Sequence, residues 1–184
     1  MFEDLRNLRR MNCNFIRGSH YPQDRRFLDL CDETGLLVWE ESLGWNNTAG
    51  QMADPEFIRL QELQTRLMVR NSINHPAVIL WGFLNEFDSA SLQGYALCAR
   101  LAEAIREEDG SRPVTFACSH VDADICAGLV DVIAFNTYPG WIDAENDGDP
   151  LERIKPTCDK IIRRFRSLHP GKPMMVSEMG TCGI

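Results

Sequence analysis

No apolar run in this sequence approaches the roughly 20 residues needed to cross a bilayer; the longest, Ala77 to Phe83, is strand-sized. Nor is there a surplus of positive charge. Lys and Arg number 19 against 27 Asp and Glu, a net charge of −8, and the basic pairs (Arg9-Arg10, Arg25-Arg26, Arg163-Arg164) are scattered. Neither a membrane nor a nucleic acid is therefore expected as a partner. C-x-x-C spacing is absent, and the seven cysteines are odd in number and mostly in apolar contexts such as Leu30-Cys31 and Ala117-Cys118. They read as buried free thiols, not as a zinc site or a disulfide frame. Cys182 stands near Glu178 but has no histidine close in sequence to activate it. Residues 1–12 are charged throughout and do not read as a signal peptide, so a reducing, cytoplasmic location is expected. There is no Gly-rich phosphate loop after the first strand and no G-x-S-x-G elbow. A dinucleotide-binding sheet and a serine hydrolase are thereby disfavoured, and no metal or cofactor is expected.

What the chain does contain is two stretches built alike. Asn74-His75-Pro76 opens the first, and the residue before a proline is pushed out of the helical region. Ala77 to Phe83 follows without a polar break, as suits a strand buried on both faces. Leu84-Asn85-Glu86 then sets an amide and a carboxylate at the strand's C-terminal end. The second stretch, Lys172 to Gly180, repeats the pattern: proline, short apolar strand, Glu178. A glutamate so placed could simply cap the next helix or pair at the rim. Two of them on parallel strands of one sheet, however, can converge above it. Such a pair serves glycoside hydrolysis, where one carboxylic acid protonates the leaving oxygen and one carboxylate attacks or activates water.

Apolar spacing predicts helices over 3–11, 23–34, from Asp54-Pro55 to about Ile73, over 90–108 and over 151–168, the last regular only from Pro156. A loop is expected over 42–53 and a helical turn over 122–128. Between the helices lie six apolar, unalternating strands: 13–16, 36–39, 77–83, 113–118, 130–135 and 174–177. Strict alternation of helix and strand predicts a parallel sheet covered by helices. Nearly every strand ends in polar side chains: Arg17 and His20, Glu40 and Glu41, Asn85 and Glu86, His120, Asn136 and Tyr138, Glu178. That loading of the C-terminal ends is the pattern of a (β/α)8 TIM barrel. At about 31 residues per βα unit the chain covers about six units. The expectation is one domain, 1–184, forming an incomplete barrel that lacks its first and last strands.

Three segments together resemble glycoside hydrolase family 2, the β-galactosidase, β-glucuronidase and β-mannosidase group: Asn14 to Pro22 with Leu30 to Gly35, Asn74 to Glu86, and Lys172 to Glu178. Their order and spacing match along essentially the full chain. The resemblance implies Glu86 as acid/base after barrel strand 4 and Glu178 as nucleophile after strand 7 of a retaining exo-β-glycosidase. Arg17 would keep Glu178 ionised, Asn85 would bond the sugar 2-hydroxyl, and His20 would be a further sugar ligand. Asn136, Tyr138 and Trp141 resemble the loop after strand 6 in the β-glucuronidase branch, where a tyrosine approaches the nucleophile and an aromatic wall packs on the sugar. Glu40 and Glu41 occupy the family's acidic pair, and the sequence leaves open which of them faces inward. His75 lies at the far end of its strand and reads as structural. Ile142 replaces a tyrosine usual in the glucuronidase branch, and the acidic loop Asp143 to Asp149 would repel an anionic sugar if it lay near the site. A β-glycoside substrate is implied, glucuronidase-like favoured over galactosidase, with a homo-oligomer when full length. The alternatives are a β-mannosidase-type hydrolase and a non-catalytic carbohydrate-binding relative.

Overall fold

The computed structural model describes residues 1–139 and 150–180. Among the described residues, helices α1 (Phe2–Arg10), α2 (Arg25–Thr34), α3 (Ala49–Met52), α4 (Pro55–Ser72), α5 (Leu92–Glu108) and α6 (Pro150–Leu168) are interspersed with seven short strands. These are β1 (Phe15–Gly18), β2 (Leu37–Glu41), β3 (Val78–Gly82), β4 (Val114–Thr115), β5 (Ala117–Cys118), β6 (Ile133–Asn136) and β7 (Met174–Glu178). Every strand pairing is parallel, in the orders β1-β2-β3-β4 and β5-β6-β7. The arrangement is an incomplete TIM barrel. Among the described residues no helix is long and apolar enough to cross a membrane.

Local chemistry starts the helices where the sequence places them. Asp24, Asp54 and Ser91 each accept a backbone N–H in the first turn of α2, α4 and α5, satisfying donors that a helix start leaves unpaired. The residues expected to be a plain loop, 42–53, also hold α3, started by a reciprocal cap between Thr48 and Gln51. The expected turn over 122–128 is a 3-10 turn at Ala127–Leu129. Helix α6 begins before Pro156, which lies inside it. The carbonyl that Pro156 leaves without a helical donor belongs to exposed Glu152 near the helix start, where water can satisfy it.

Four strand boundaries differ from expectation for one reason, the fourth being β7, which runs on through Glu178. Arg17, Glu40, Glu41 and Asn136 lie within strands, not beyond them. Judged by hydropathy, an apolar run ends at its first polar side chain, yet here those side chains face partners within the fold and the ladder continues beneath them. The single strand expected over 113–118 is interrupted at Phe116, dividing the ladder between two sheets.

Two apolar layers follow from strand alternation. One face of the strands, with Val38, Trp81 and Phe135, packs against helix residues such as Leu28, Val69, Leu101 and Phe165. The other face fills the barrel interior with Trp39, Leu80, Ala117 and Ala134, flanked by Phe15, Val132 and Met175. Trp39 needs Gly82 beside it: a Cβ at that position would lie 1.9 Å from the indole nitrogen. Over this ring stands Arg17, whose Cζ is 4.6 Å from the ring centroid.

Candidate active site

Beyond β3 the chain does not simply end in a turn. Leu84 and Glu86 adopt left-handed backbone, with φ of 47° and 52°. Such conformations cost L-residues about 1–3 kcal/mol each and persist where the surroundings over-determine them. Here three bonds do so: Asn85 N–H to Gly44 O (2.8 Å), Asn46 N–H to Asn85 O (2.9 Å) and Glu86 N–H to Ala117 O (2.9 Å). Leu84, fully buried, anchors the segment. The consequence is that Asn85 and Glu86, adjacent in sequence, both reach one polar cluster at the C-terminal rim.

Arg17 is the hub of that cluster. Its Nε donates to Glu41 Oε1 at 2.5 Å, Nη1 donates to Glu178 Oε1, and Nη2 donates to Asn85 Oδ1 at 2.7 Å. One planar guanidinium thus joins β1, β2, β7 and the turn after β3, a geometry that an ammonium would not reproduce. His20 stands beside it, with Nδ1 3.2 Å from Glu41 Oε2 and Nε2 3.9 Å from Glu178 Oε1. The question left open by the acidic pair is answered here. Glu41 faces the cluster, whereas Glu40 points to the helix layer, accepting from Ser72 Oγ (3.1 Å) and the Gln23 N–H (3.3 Å). Burial pushes Glu40 up to about 7 against those bonds.

Glu178 and Glu86 sit in different electrostatic settings. Burial by itself would raise the Glu178 pKa, but hydrogen bonds from Tyr138 and Arg17, with the charges of Arg17 and His20, outweigh it and hold the carboxyl below its ordinary value. Tyr138 donates its hydroxyl to Glu178 Oε2. Its own pKa is raised, first by burial and then by Glu178 and Glu86, so the phenol keeps its proton and remains a donor. Glu86 Oε1 accepts from Asn136 Nδ2 at 2.8 Å, and the same nitrogen lies 3.2 Å from Asn85 Oδ1. The Asn85 carbonyl therefore has two donors, Arg17 and Asn136, while its Nδ2, buried, has no partner among the described residues. A buried amide donor left over in a polar cleft is unusual, because such groups are normally satisfied. A hydroxyl-bearing ligand would satisfy it. Next to Glu86, Asn136 and Tyr138 opens a cavity of about 570 Å³, lined also by His120, Thr157 and Lys160.

Of the residues singled out from the sequence, Arg17, His20, Asn85, Glu86, Asn136, Tyr138 and Glu178 come together in this network. Trp141, Ile142, the acidic loop Asp143 to Asp149 and Cys182 lie outside the described residues. His75 is where a structural histidine belongs, buried at the other end of β3 with Nδ1 2.7 Å from Asp32 Oδ2. The described cysteines are free thiols. Burial lifts Cys31 to about 11 and Cys98 and Cys118 well above the ordinary thiol value, leaving them inert as nucleophiles.

Parallel strands around a packed interior, with a polar cluster on their C-terminal rim, define the class of barrel whose ligand site lies on that face. Comparison with known proteins gives the family. The pattern described as "Glycosyl hydrolases family 2, TIM barrel domain" matches residues 1–182, and the chain belongs to that family. Mouse β-glucuronidase is 34% identical over 185 residues, all of this chain and 28% of the mouse protein. Human β-glucuronidase is 35% identical, with 98% of this chain and 27% of the human protein covered. Among solved structures, a family 2 β-galacturonidase from Eisenbergiella tayi bound to galacturonate superposes with a TM-score of 0.91 at 33% identity, over 99% of this chain and 32% of that one. A β-glucuronidase from Ruminococcus gnavus in complex with uronic deoxynojirimycin has a TM-score of 0.88 at 26% identity, over 98% of this chain and 32% of that one. The chain thus spans under a third of the length of these relatives.

Proposed function

We propose that this chain is the catalytic barrel segment of a retaining exo-β-glycosidase that removes terminal β-linked hexuronic acids, glucuronides foremost. Glu86 protonates the leaving oxygen and later activates water. Glu178 attacks the anomeric carbon and forms the glycosyl-enzyme intermediate. The observation that carries this reading is the unequal environment of the two carboxyl groups within one network. Glu178 is held ionised by Arg17 and Tyr138, as a nucleophile must be, whereas among the described residues the Glu86 side chain has the neutral Asn136 amide as its hydrogen-bond partner. Asn85 Oδ1 accepts both from Asn136, which bonds Glu86, and from Arg17, which bonds Glu178, and this short bridge supports a facing pair of the kind double displacement uses. The free Nδ2 of Asn85 supports a bond to the sugar 2-hydroxyl, and His20 supports a second sugar contact. The preference for a uronide rests on the named activities of the relatives.

The direct test is to incubate the full-length protein with nitrophenyl β-glucuronide, β-galacturonide, β-galactoside and β-mannoside and follow the sugar by proton NMR. The expected result is fastest turnover of a β-uronide, with the β-anomer appearing first. An α-anomer appearing first would replace retention by inversion, and turnover of none would remove the enzymatic reading.

The setting of Glu178 also fixes a pH dependence. Its folded-state pKa lies below the ordinary 4.5, so the ionised form persists as pH falls through that value. Tyr138→Phe removes a hydrogen bond to the charged form, which raises the pKa. The acidic limb of the kcat/KM profile is therefore expected to move to higher pH in Tyr138→Phe. An unmoved limb would show that the phenol does not tune the nucleophile.

A further inference from the structure

Strand β7 has one more residue at its end than β6 can pair. Phe135 is opposite Val176 and Asn136 is opposite Glu178, so Ser177 is left over in the register. An extra residue of this kind kinks its strand and re-aims a side chain. In this case the half-buried Ser177 turns its hydroxyl onto the Asn136 side chain and donates to Oδ1 at 2.7 Å. With its oxygen engaged there, the buried Asn136 amide presents its nitrogen to the opposite side, toward Glu86 Oε1 and Asn85 Oδ1.

We propose that Ser177 is a positioning residue for the reaction: acting through Asn136, it keeps Oε1 of Glu86 occupied as an acceptor and so leaves Oε2 to carry the proton delivered to the leaving group. This deepens, and rests on, the reading of Glu86 as acid/base. The chemistry is a matter of which oxygen holds the hydrogen. A neutral carboxyl group has one O–H, and an oxygen that already faces an N–H donor is the wrong place for it. The two ends of an asparagine amide are nearly the same size and its terminal torsion is broad and roughly two-fold, so an amide without an anchoring bond can turn over. Turned over, Asn136 would offer Oδ1 to Glu86 and draw the proton to Oε1, away from the substrate. Its carbonyl would also meet Asn85 Oδ1, an acceptor facing an acceptor. Ser177 opposes that turn by giving Oδ1 a donor on the correct side. The bond also ties the strand that carries the nucleophile to the residue that orients the acid.

The test compares Ser177→Ala, Ser177→Thr and Glu86→Gln with the unaltered full-length protein on two β-glucuronides. One has a dinitrophenyl leaving group, which departs without protonation. The other has an alkyl leaving group, which needs the acid. For Ser177→Ala the expected result is that kcat/KM falls about tenfold more for the alkyl than for the dinitrophenyl substrate, a part of the full general-acid contribution. Ser177→Thr, which keeps the hydroxyl, is expected to restore the unaltered ratio. If Ser177→Ala slows both substrates equally, or neither, the positioning role is wrong, since a merely loosened β7 does not discriminate between leaving groups. A Thr variant that behaves like Ala overturns it too. Glu86→Gln separates the two levels of the argument. Without a leaving-group-dependent loss in that variant, the acid/base reading falls and takes this inference with it. With such a loss in Glu86→Gln but none in Ser177→Ala, only the inference about Ser177 falls.

Discussion

Replacing Glu178 by Ala in the full-length protein is expected to lower kcat by at least about 10⁴-fold on every glycoside, the scale lost when a covalent nucleophile is removed. Among the described residues no neighbour can substitute. Arg17 and Tyr138 are donors to the carboxylate, not nucleophiles, and Glu41 is committed to Arg17 and His20. The cavity left by the shortened side chain, with Arg17 still lining it, suits a small anion. Added azide is therefore expected to restore turnover by attacking the anomeric carbon from the vacated side, producing an α-glycosyl azide from a β-glycoside. Its isolation with the inverted configuration would identify Glu178 as the nucleophile. Rescue that yields the β-azide would point to another residue.

The second large effect is a divided one. Glu86→Ala is expected to cost about 10²–10⁴-fold for the first step with poor leaving groups, the ordinary contribution of a general acid. A dinitrophenyl glycoside should suffer little in that step, because its leaving oxygen needs no proton. Deglycosylation should still slow, since the same carboxylate activates water. A burst of dinitrophenolate followed by slow steady turnover is the kinetic form this takes. Equal losses for activated and unactivated substrates would overturn the division of labour between the two glutamates.

Both predictions depend on residues far apart in sequence, and that marks where sequence reasoning stopped. The two Pro-led strands, their terminal glutamates and the polar endings of the other strands were legible because each is local. Pro76 and Pro173 end what precedes them, apolar runs without alternation belong in a doubly covered parallel sheet, and a carboxylate after such a run calls for a purpose. The same locality misplaced the boundaries of β1 and β2, since hydropathy cannot tell a rim charge with a partner from a charge in solvent. Ser177 gave no signal of its own. Its role arises from a register shift between β6 and β7, and a register is a relation between two segments.

By itself, then, the sequence determined the class of fold, the order of its strands and the identity of most polar groups at the C-terminal rim. These follow from periodicity, punctuation and residue type. Only the tertiary structure decided that Glu41 and not Glu40 faces the cluster. A strand places neighbours on opposite faces, and nothing within Leu37–Glu41 says which face is the interior. The tertiary structure also decided the unequal settings of Glu86 and Glu178. Arg17 reaches Glu178 across 161 positions of sequence, and Asn136 reaches Glu86 across 50. The charge state of a carboxyl group is set by whatever lies within a few ångströms of it, and folding alone brings those groups there.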